Sequence, residues 1–377
     1  MIPYNKPALV GDELTYIRDA VERGKIAGNG HYTALCQRFF EERYGFEKCL
    51  LTTSCTDALE LAALLLNIGP GDEVILPAYT FVSSANAFVL RGATLRFADS
   101  RPDHPNIDAD RIEELITDRT KAIVVVHYAG MACDMDAVQA LAQRHGIAVV
   151  EDAAQAINVL YKDRPLGGIG DLGTFSFHET KNINCGEGGM LVVNNPELRE
   201  RAEIIWEKGT NRAAFWRGEV DKYGWVDVGS SFLPSELNAA FLYGQLQHID
   251  EVIARRVVIW DEYFEALRPL QESGVLELPR IPQHSTNNGH IFYMLCRSED
   301  ERDALIGHLK EHGVHSVFHY QVLHRSPYYR KRHDGRALQN AERYEKSLLR
   351  LPLYSGLTDE EVRHVAAKVT SFYREDG

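Results

Sequence analysis

No apolar run in the 377-residue sequence approaches the roughly 18 residues that suggest a membrane span, and the opening MIPYNKPALVGDE has neither a basic start nor an apolar signal core. A cytoplasmic location with no membrane partner is therefore expected. Cysteine is scarce: Cys36, Cys49, Cys55, Cys133, Cys185 and Cys296 form no CxxC and keep no regular spacing, which argues against a structural zinc site or a disulfide framework. No metal site is expected. Glycine fingerprints are missing as well, with neither GxGxxG nor GxxxxGK[ST] present, so a nicotinamide-linked sugar epimerase or reductase lacks its dinucleotide motif. Cations are outnumbered, 41 Lys and Arg against 54 Asp and Glu, and the formal charge of −13 disfavours nucleic acid. An anionic small molecule still fits a locally basic pocket.

What is present is the rhythm of an α/β protein. From about residue 48 to 195, short β-branched runs (Lys48–Thr53, Glu73–Leu76, Thr94–Ala98, Ala122–His127, Ala148–Glu151, Met190–Val193) alternate with stretches of helical spacing (Asp57–Leu66, Ser84–Leu90, Arg111–Ile116, Met135–His145). That pattern predicts a large domain with a mostly parallel central sheet covered by helices. Near residue 235 the texture changes. Ser235 to Leu270 reads as long helical sequence able to bridge two domains, followed by a strand-like IFYMLCR (291–297), a helix from Glu301 to His312, a second strand-like VHSVFHY (314–320) and a closing helix that Thr358 could cap. The expected division is a large domain over 1–235 and a bridging helix with a small α+β domain over 236–377.

Three stretches carry candidate chemistry. EDAAQ (151–155) ends an apolar run and puts Asp152 at the carboxyl end of a strand, where α/β sheets bind ligands. A carboxylate there could bind a metal, act as a base, face a protonated ring nitrogen, or simply cap a loop. GTFSFHETKNINCGEGG (173–189) holds one lysine, Lys181, in a polar turn beside aromatics. A lysine so placed can be desolvated, which lowers its pKa and frees the amine for Schiff-base chemistry, although a surface lysine at a turn is the plain alternative. TTSCTDALELAALLL (52–66) leads a strand through small hydroxyl residues into a helix; its free N–H groups suit a phosphate, though Ser and Thr are also ordinary caps. GNG (28–30) is a weaker signal of the same kind.

Taken in order, the phosphate turn, PAYTF (77–81), EDAAQ, SFHETK and GEGG resemble the sugar aminotransferase family (DegT/DnrJ/EryC1/StrS-type), which also includes 3-amino-5-hydroxybenzoate synthases. The likeness runs over nearly the whole chain and is sharpest in HETKN, GEGG, EKGTNR (207–212), VDKYGW (220–225) and VGSS (228–231). It implies the fold-type-I architecture of pyridoxal 5′-phosphate (PLP) enzymes, related to aspartate aminotransferase. It also implies that Lys181 forms the Schiff base with PLP and serves as general acid and base. Asp152 would pair with the pyridine nitrogen, Gln155 with the phenolic oxygen, and Phe81 would stack on the ring. Cys55, Thr56 and Ser176 would hold the phosphate. Ser231 stands where many members carry an asparagine, in a G-x-N-Y stretch, that reaches the partner subunit's phosphate.

The same likeness implies a homodimer with shared sites, crossing over around residues 229–235, and transfer of an amino group from L-glutamate to a nucleotide-linked keto-sugar. In its sharpest form the acceptor is dTDP-4-keto-6-deoxy-D-glucose and the product a 4-amino-galacto sugar for surface glycan assembly. The segment 207–225 supplies Lys208, Arg212, Arg217, Lys222, Tyr223 and Trp225 as candidate contacts for the diphosphate and the rings; a solvated mixed-charge loop is the alternative. His178 either touches the reacting centre or shapes its turn. His319 and His324 resemble a family HYxPLH stretch, with Val322 where the proline stands, and His127 and Tyr128 line either pocket or core. A sugar dehydratase of this fold replaces the Schiff-base lysine by histidine, whereas HETK keeps it. A PLP-binding regulator is the remaining alternative.

Overall fold

The aliphatic runs pair into one seven-stranded sheet in the computed structural model, which describes residues 1–375. In chain order the strands are β1 (Cys49–Thr52), β2 (Glu73–Pro77), β3 (Thr94–Ala98), β4 (Thr120–Val126), β5 (Ala148–Asp152), a separate two-residue hairpin β6 (Leu160–Tyr161) and β7 (Arg164–Pro165), then β8 (Leu172–Ser176) and β9 (Gly189–Val193). The sheet order is β1-β9-β8-β5-β4-β2-β3. The pairs β2–β3, β2–β4, β4–β5 and β5–β8 are parallel; only β9 runs against both of its neighbours. Alternation along each strand feeds two cores: Leu50, Val74, Leu76 and Val124 face one, Leu51, Ile75, Ile123 and Val125 the other. Burial on both faces explains why these strands read as continuous apolar runs.

Helices cover both faces: α1 (Glu13–Glu22), α2 (His31–Tyr44), α3 (Cys55–Leu65), α4 (Val82–Val89), α5 (Met135–His145), α6 (Arg199–Trp206) and α7 (Arg212–Trp216). Their ends are written in the sequence. Asp134 caps α5 by accepting from Ala137 N at 3.2 Å, and Gly146, at φ 64°, closes it in the left-handed conformation. The GNG stretch has a structural role: Glu236 accepts from the backbone N–H of Gly30, Tyr32 and Thr33 at 2.7–3.0 Å and fixes the start of α2. A Cβ on residue 30 would come within 2.5 Å of that carboxyl group.

The expected bridging stretch forms two helices, α8 (Glu236–Leu246) and α9 (Ile249–Glu272), separated by Gln247 and His248. Then β10 (Phe292–Leu295) pairs antiparallel with β11 (Leu348–Leu351), accompanied by α10 (Glu299–Glu311), α11 (Gln339–Ser347) and α12 (Asp359–Glu375). Thr358 and Glu361 exchange side-chain to backbone hydrogen bonds at 3.0 and 3.2 Å, a capping box that starts α12. The core facing α3 is continuous with this layer and includes Phe292, Leu349 and Val365. Among the described residues no helix is long and apolar enough to cross a membrane.

Two expected elements come out differently. Arg111–Ile116 is not an α-helix but part of two short 3₁₀ turns, Ala109–Arg111 and Glu113–Leu115. Its buried Ile112 and Leu115 lie three residues apart, the spacing of that tighter turn. VHSVFHY makes only isolated bridges, Ile2 to Val314 and Val317 to Arg350. The consecutive His319 and Tyr320 rings stack 3.5 Å apart and both line the same cavity, whereas a strand would send them to opposite sides.

Candidate active site

Strand β5 ends at Asp152, whose side chain is buried at the floor of a cavity of about 680 Å3. The carboxylate accepts from Ser84 Oγ at 2.6 Å and from Ala154 N at 3.1 Å. Two residues beyond β5's end sits Ala154, and then Gln155, whose Oε1 accepts from Ala129 N at 2.7 Å while Nε2 donates to Tyr320 OH at 3.0 Å. Ala129 adopts φ 58°, an unusual left-handed setting for alanine. That bond commits the amide oxygen of Gln155 and leaves its nitrogen as the donor on the cavity side.

The turn after β8 carries Lys181, its N–H bonded to His178 O at 2.9 Å. Its amine lines the cavity and has no hydrogen-bond or ion-pair partner among the described residues. Burial pushes its pKa below the ordinary lysine range, with Cys55 and Asp152 acting in the opposite sense. Beside it α3 begins. Ser54 caps that helix by accepting from Asp57 N at 3.1 Å, and among the described residues the N–H groups of Cys55 and Thr56, at the positive end of the helix, have no acceptor. Gly189 allows β9 to lie against this turn, since a Cβ there would stand 2.2 Å from Ser54 C and 2.3 Å from Cys55 N. Thr56 Oγ1 donates to Ser83 Oγ at 2.8 Å, and Ser176 Oγ, also lining the cavity, accepts from His178 N at 3.4 Å.

Phe81 precedes α4 and is 54% exposed at the cavity, its ring centroid 6.2 Å from that of Tyr320. His178 also lines the cavity, with Nδ1 2.9 Å from Thr180 Oγ1 and Nε2 3.7 Å from the Glu187 carboxylate. His319 lines it too and lies 2.6 Å from Tyr128 OH; burial pushes both His319 and His290 well below the ordinary histidine range, so both are neutral.

Other expected residues lie elsewhere. Lys208, Arg212, Arg217, Lys222, Tyr223 and Trp225 are exposed and do not line this cavity. Arg217 pairs with Glu203 and Glu219, and Arg212 lies 5.9 Å from the ring centres of both Trp216 and Tyr223. Ser231 is exposed and bridges Glu207. His324 is buried against Glu342, and His127 lies fully buried 3.0 Å from Glu151, so both are core side chains. Sequence reading missed Tyr4, Ser84, Arg256, His290, Tyr320 and Arg350, all of which line the cavity or support it. Among the described residues no group of three or more His, Cys, Asp or Glu is arranged to hold a metal ion.

A phosphorylated pyridine aldehyde requires an amine to condense with, an anion to oppose its ring nitrogen, donors for its phosphate and an apolar surface for its ring. The unpartnered amine of Lys181, the buried carboxylate of Asp152, the free N–H groups of α3 and the exposed ring of Phe81 meet each requirement within one cavity. The architecture and cavity are those of a PLP enzyme of fold type I. Residues 7–370 match the DegT/DnrJ/EryC1/StrS aminotransferase family, and the chain belongs to it. It is a PLP-dependent aminotransferase.

Solved structures agree with that placement. The aminotransferase TlmJ from Streptoalloteichus hindustanus is 32% identical, with 100% of this chain and 99% of that chain covered and a TM-score of 0.91. DesV from S. venezuelae is 32% identical over 96% of this chain and 94% of its own, with a TM-score of 0.86. Spr1654 from Streptococcus pneumoniae, in its PLP-form, is 26% identical over 99% of both chains, with a TM-score of 0.90.

Proposed function

We propose that this enzyme transfers an amino group from L-glutamate to a nucleotide-linked keto-sugar, most specifically converting dTDP-4-keto-6-deoxy-D-glucose to dTDP-4-amino-4,6-dideoxy-D-galactose with release of 2-oxoglutarate. The observation that carries the reading is Lys181: a half-buried lysine whose amine has no hydrogen-bond or ion-pair partner among the described residues and shares a cavity with Asp152. Lysine at this position argues against the dehydratase alternative. The sugar class is supported by the family, and the dTDP and galacto assignments by HETKN, EKGTNR, VDKYGW and VGSS, which resemble transaminases making that amino sugar. Its product would feed surface polysaccharides such as lipopolysaccharide or enterobacterial common antigen, from the cytoplasm. A different nucleotide keto-sugar, aminated at another carbon, is the variant reading the experiment below distinguishes.

Bound PLP supplies an electron sink that stabilises negative charge at a carbon losing its proton. Lys181 Nζ, kept neutral more readily by burial, takes the proton from the donor's α-carbon and later delivers one to the carbon being aminated. Asp152 holds a proton on the ring nitrogen, and its own orientation is fixed by Ser84. Gln155 Nε2 donates to the phenolic oxygen; the N–H groups of Cys55 and Thr56 with the Ser176 hydroxyl hold the phosphate; Phe81 covers one ring face. His178 and His319 face the substrate.

The segment 207–225 and Ser231 act, in this reading, on the cavity of a second copy in a homodimer. The support is their position: Trp216 and Trp225 are 70% and 84% exposed, beside cations that do not reach the cavity of their own chain. Within each copy, residues 1–235 form the large domain and 236–377 the bridging helices and small domain. The test is an absorbance titration of the PLP-loaded protein with L-glutamate, then with dTDP-4-keto-6-deoxyglucose, and assignment of the product by NMR. Loss of the lysine-bound cofactor band and its return, with a 4-amino-galacto product, is expected; a band that glutamate never changes refutes the donor.

A further inference from the structure

One buried imidazole on the cavity wall has no part in the roles above. His290, 7% exposed, stands two residues before β10, and its Nδ1 lies 2.9 Å from Asn182 Oδ1. Asn182 follows Lys181 in the chain and is buried; its Nδ2 donates to Asn288 O at 2.9 Å. Asn288, buried as well, accepts from His290 N at 3.0 Å and donates to Gln155 O and Ile157 O at 2.9 Å each. The fit is close: a Cβ on Gly130 would stand 2.1 Å from Asn288 Oδ1. Arg256 holds the same backbone from behind, giving Nε to Gly289 O at 3.0 Å and Nη2 to His290 O at 2.6 Å. The imidazole is therefore fixed to the turn of Lys181 on one side and to the loop of Gln155 on the other.

These bonds decide which ring nitrogen carries the proton. Turned round, the Asn182 amide would set its oxygen against Asn288 O, two acceptors facing each other. Nδ2 is therefore the end that donates there, and Oδ1 the end that meets the ring. Nδ1 must then donate. Burial, with the Lys181 charge acting in the same sense, pushes His290 well below the ordinary histidine range, so the ring holds one proton and that proton sits on Nδ1. Nε2 is a bare lone pair with no partner among the described residues. Lys181 Nζ, in the same cavity, has N–H groups and no acceptor among those residues. Lys181 also leads the charged groups that act on His290. The cavity thus holds an unpaired donor and an unpaired acceptor, one carried by Lys181 and the other bonded to its neighbour in the chain.

We infer that His290 Nε2 accepts a hydrogen bond from the Lys181 amine whenever that amine is free, and so turns its lone pair toward the carbon whose proton it moves; the assignment rests on the aminotransferase reading above. A carboxylate in this place would favour the ammonium form of the lysine, which has no lone pair to give. An imidazole without a charge orients the amine and leaves its basicity to the surroundings. The gain is one of orientation, which counts strongly when reacting atoms must meet in one geometry. His290 is a positioning residue for Lys181, and Asn182 in turn positions His290. A substrate hydroxyl on the same nitrogen would matter in one half-reaction only, whereas Lys181 serves both.

Holoenzyme carrying His290→Phe tests this, with each half-reaction followed separately by the cofactor band. The rate should fall about 10- to 100-fold with L-glutamate and with the keto-sugar alike. Glutamate affinity should stay within about 3-fold. The slowing caused by deuterium on the α-carbon of glutamate should grow, because moving that proton becomes the slower step. His290→Ala should regain rate, saturably, with added imidazole, which a merely structural role would not allow. Unchanged rates, a loss in affinity alone, or a loss confined to one half-reaction overturns the assignment. Should both variants lose cofactor, the nitrogen-15 spectrum of the wild-type histidine rings decides: a proton on His290 Nδ1 and a bare Nε2 are expected, and the reverse refutes the pairing. If wild type itself ignores glutamate, the donor reading falls separately. Condensation of PLP with the apoprotein, which involves no substrate, should then still be about 10-fold slower in His290→Phe, and an equal rate refutes the pairing.

Discussion

Ser84 Oγ donates a 2.6 Å hydrogen bond to the Asp152 carboxylate, and both side chains are buried. The bond joins α4 to the end of β5. With it, the carboxylate keeps one orientation and needs no water. Ser84→Ala removes a charge-assisted hydrogen bond, which typically contributes about 1.5–3 kcal/mol. We expect kcat to fall about 10-fold and PLP affinity to fall with it, measured by steady-state assay and by cofactor titration. Asp152→Asn should go further, to about 1,000-fold loss, because the amide cannot keep the ring nitrogen protonated. A Ser84→Ala variant with wild-type kcat and PLP affinity would show that the bond is merely packing.

Lys181 gives a prediction about pH. In the folded protein without cofactor its pKa lies below the ordinary lysine value because burial disfavours the charge. Below both values the amine is protonated in the folded and the unfolded state, and folding bears the cost of burying a cation. As pH rises through the folded value toward the unfolded value, that cost disappears, so stability from this group increases. Lys181→Met has no such group. The Tm difference between Lys181→Met and wild-type apo protein should therefore shrink as the solution is made more alkaline, and a constant difference would count against the buried cation. With PLP added, the same variant should have no measurable turnover.

Part of the cavity's lining is legible in the sequence. Asp152 and Lys181 stand where local geometry follows from the residues, a strand end and a polar turn, and Cys55 and Thr56 stand at a helix start, whereas the role of Gln155 is implied by the family resemblance alone. Arg256, Arg350 and Tyr4 could not be found that way. They come from a helix, a strand and the N-terminal segment and meet only through the tertiary fold, and ARRVV in a helical stretch looks like a solvated face. The outcome at 314–320 has the same origin. VHSVFHY alternates like a strand, yet the demand that both His319 and Tyr320 face one cavity outweighs its local preference. His127 and His324 were ambiguous for the opposite reason, since partners distant in sequence, Glu151 and Glu342, decide that they belong to the core.

Gly189 tests the phosphate turn without altering any group assigned to chemistry. A methyl group at residue 189 would collide with the backbone of Ser54 and Cys55, and neither is the end of a flexible side chain. Gly189→Ala should displace the start of α3, lowering stability by about 1–3 kcal/mol. PLP affinity should fall together with stability, measured by urea unfolding and by retention of cofactor on gel filtration. Gly186→Ala, at a glycine with open space around it but φ 80°, is the contrasting variant, expected to cost about 1 kcal/mol and leave the phosphate turn in place.

Glu236 ties the N-terminal segment to α8. Its carboxylate accepts three backbone N–H groups and the Thr33 hydroxyl while only 1% exposed. Glu236→Ala strands those donors in a dry site and should cost about 3–5 kcal/mol in urea unfolding. Glu236→Gln keeps one acceptor oxygen and should cost less. If the alanine variant unfolds like wild type, water reaches the start of α2 and the anchoring role is wrong.

The proposed exchange of loops between copies can be separated from ordinary loss of function by mixing inactive variants. Lys181→Ala leaves the 207–225 segment intact but disables its own cavity. Combined Arg212→Ala and Trp225→Ala leaves the cavity intact but disables the segment. Each alone should show little turnover. After mixing under conditions that exchange subunits, half of a random population is hybrid, and each hybrid has one cavity with a working lysine facing a working segment. Activity should recover to about a quarter of wild type, the share of intact sites in such a population. If each segment served the cavity of its own chain, no hybrid would contain an intact site and mixing would restore nothing. A loop double variant that alone keeps full affinity for the nucleotide sugar would remove the segment from recognition altogether.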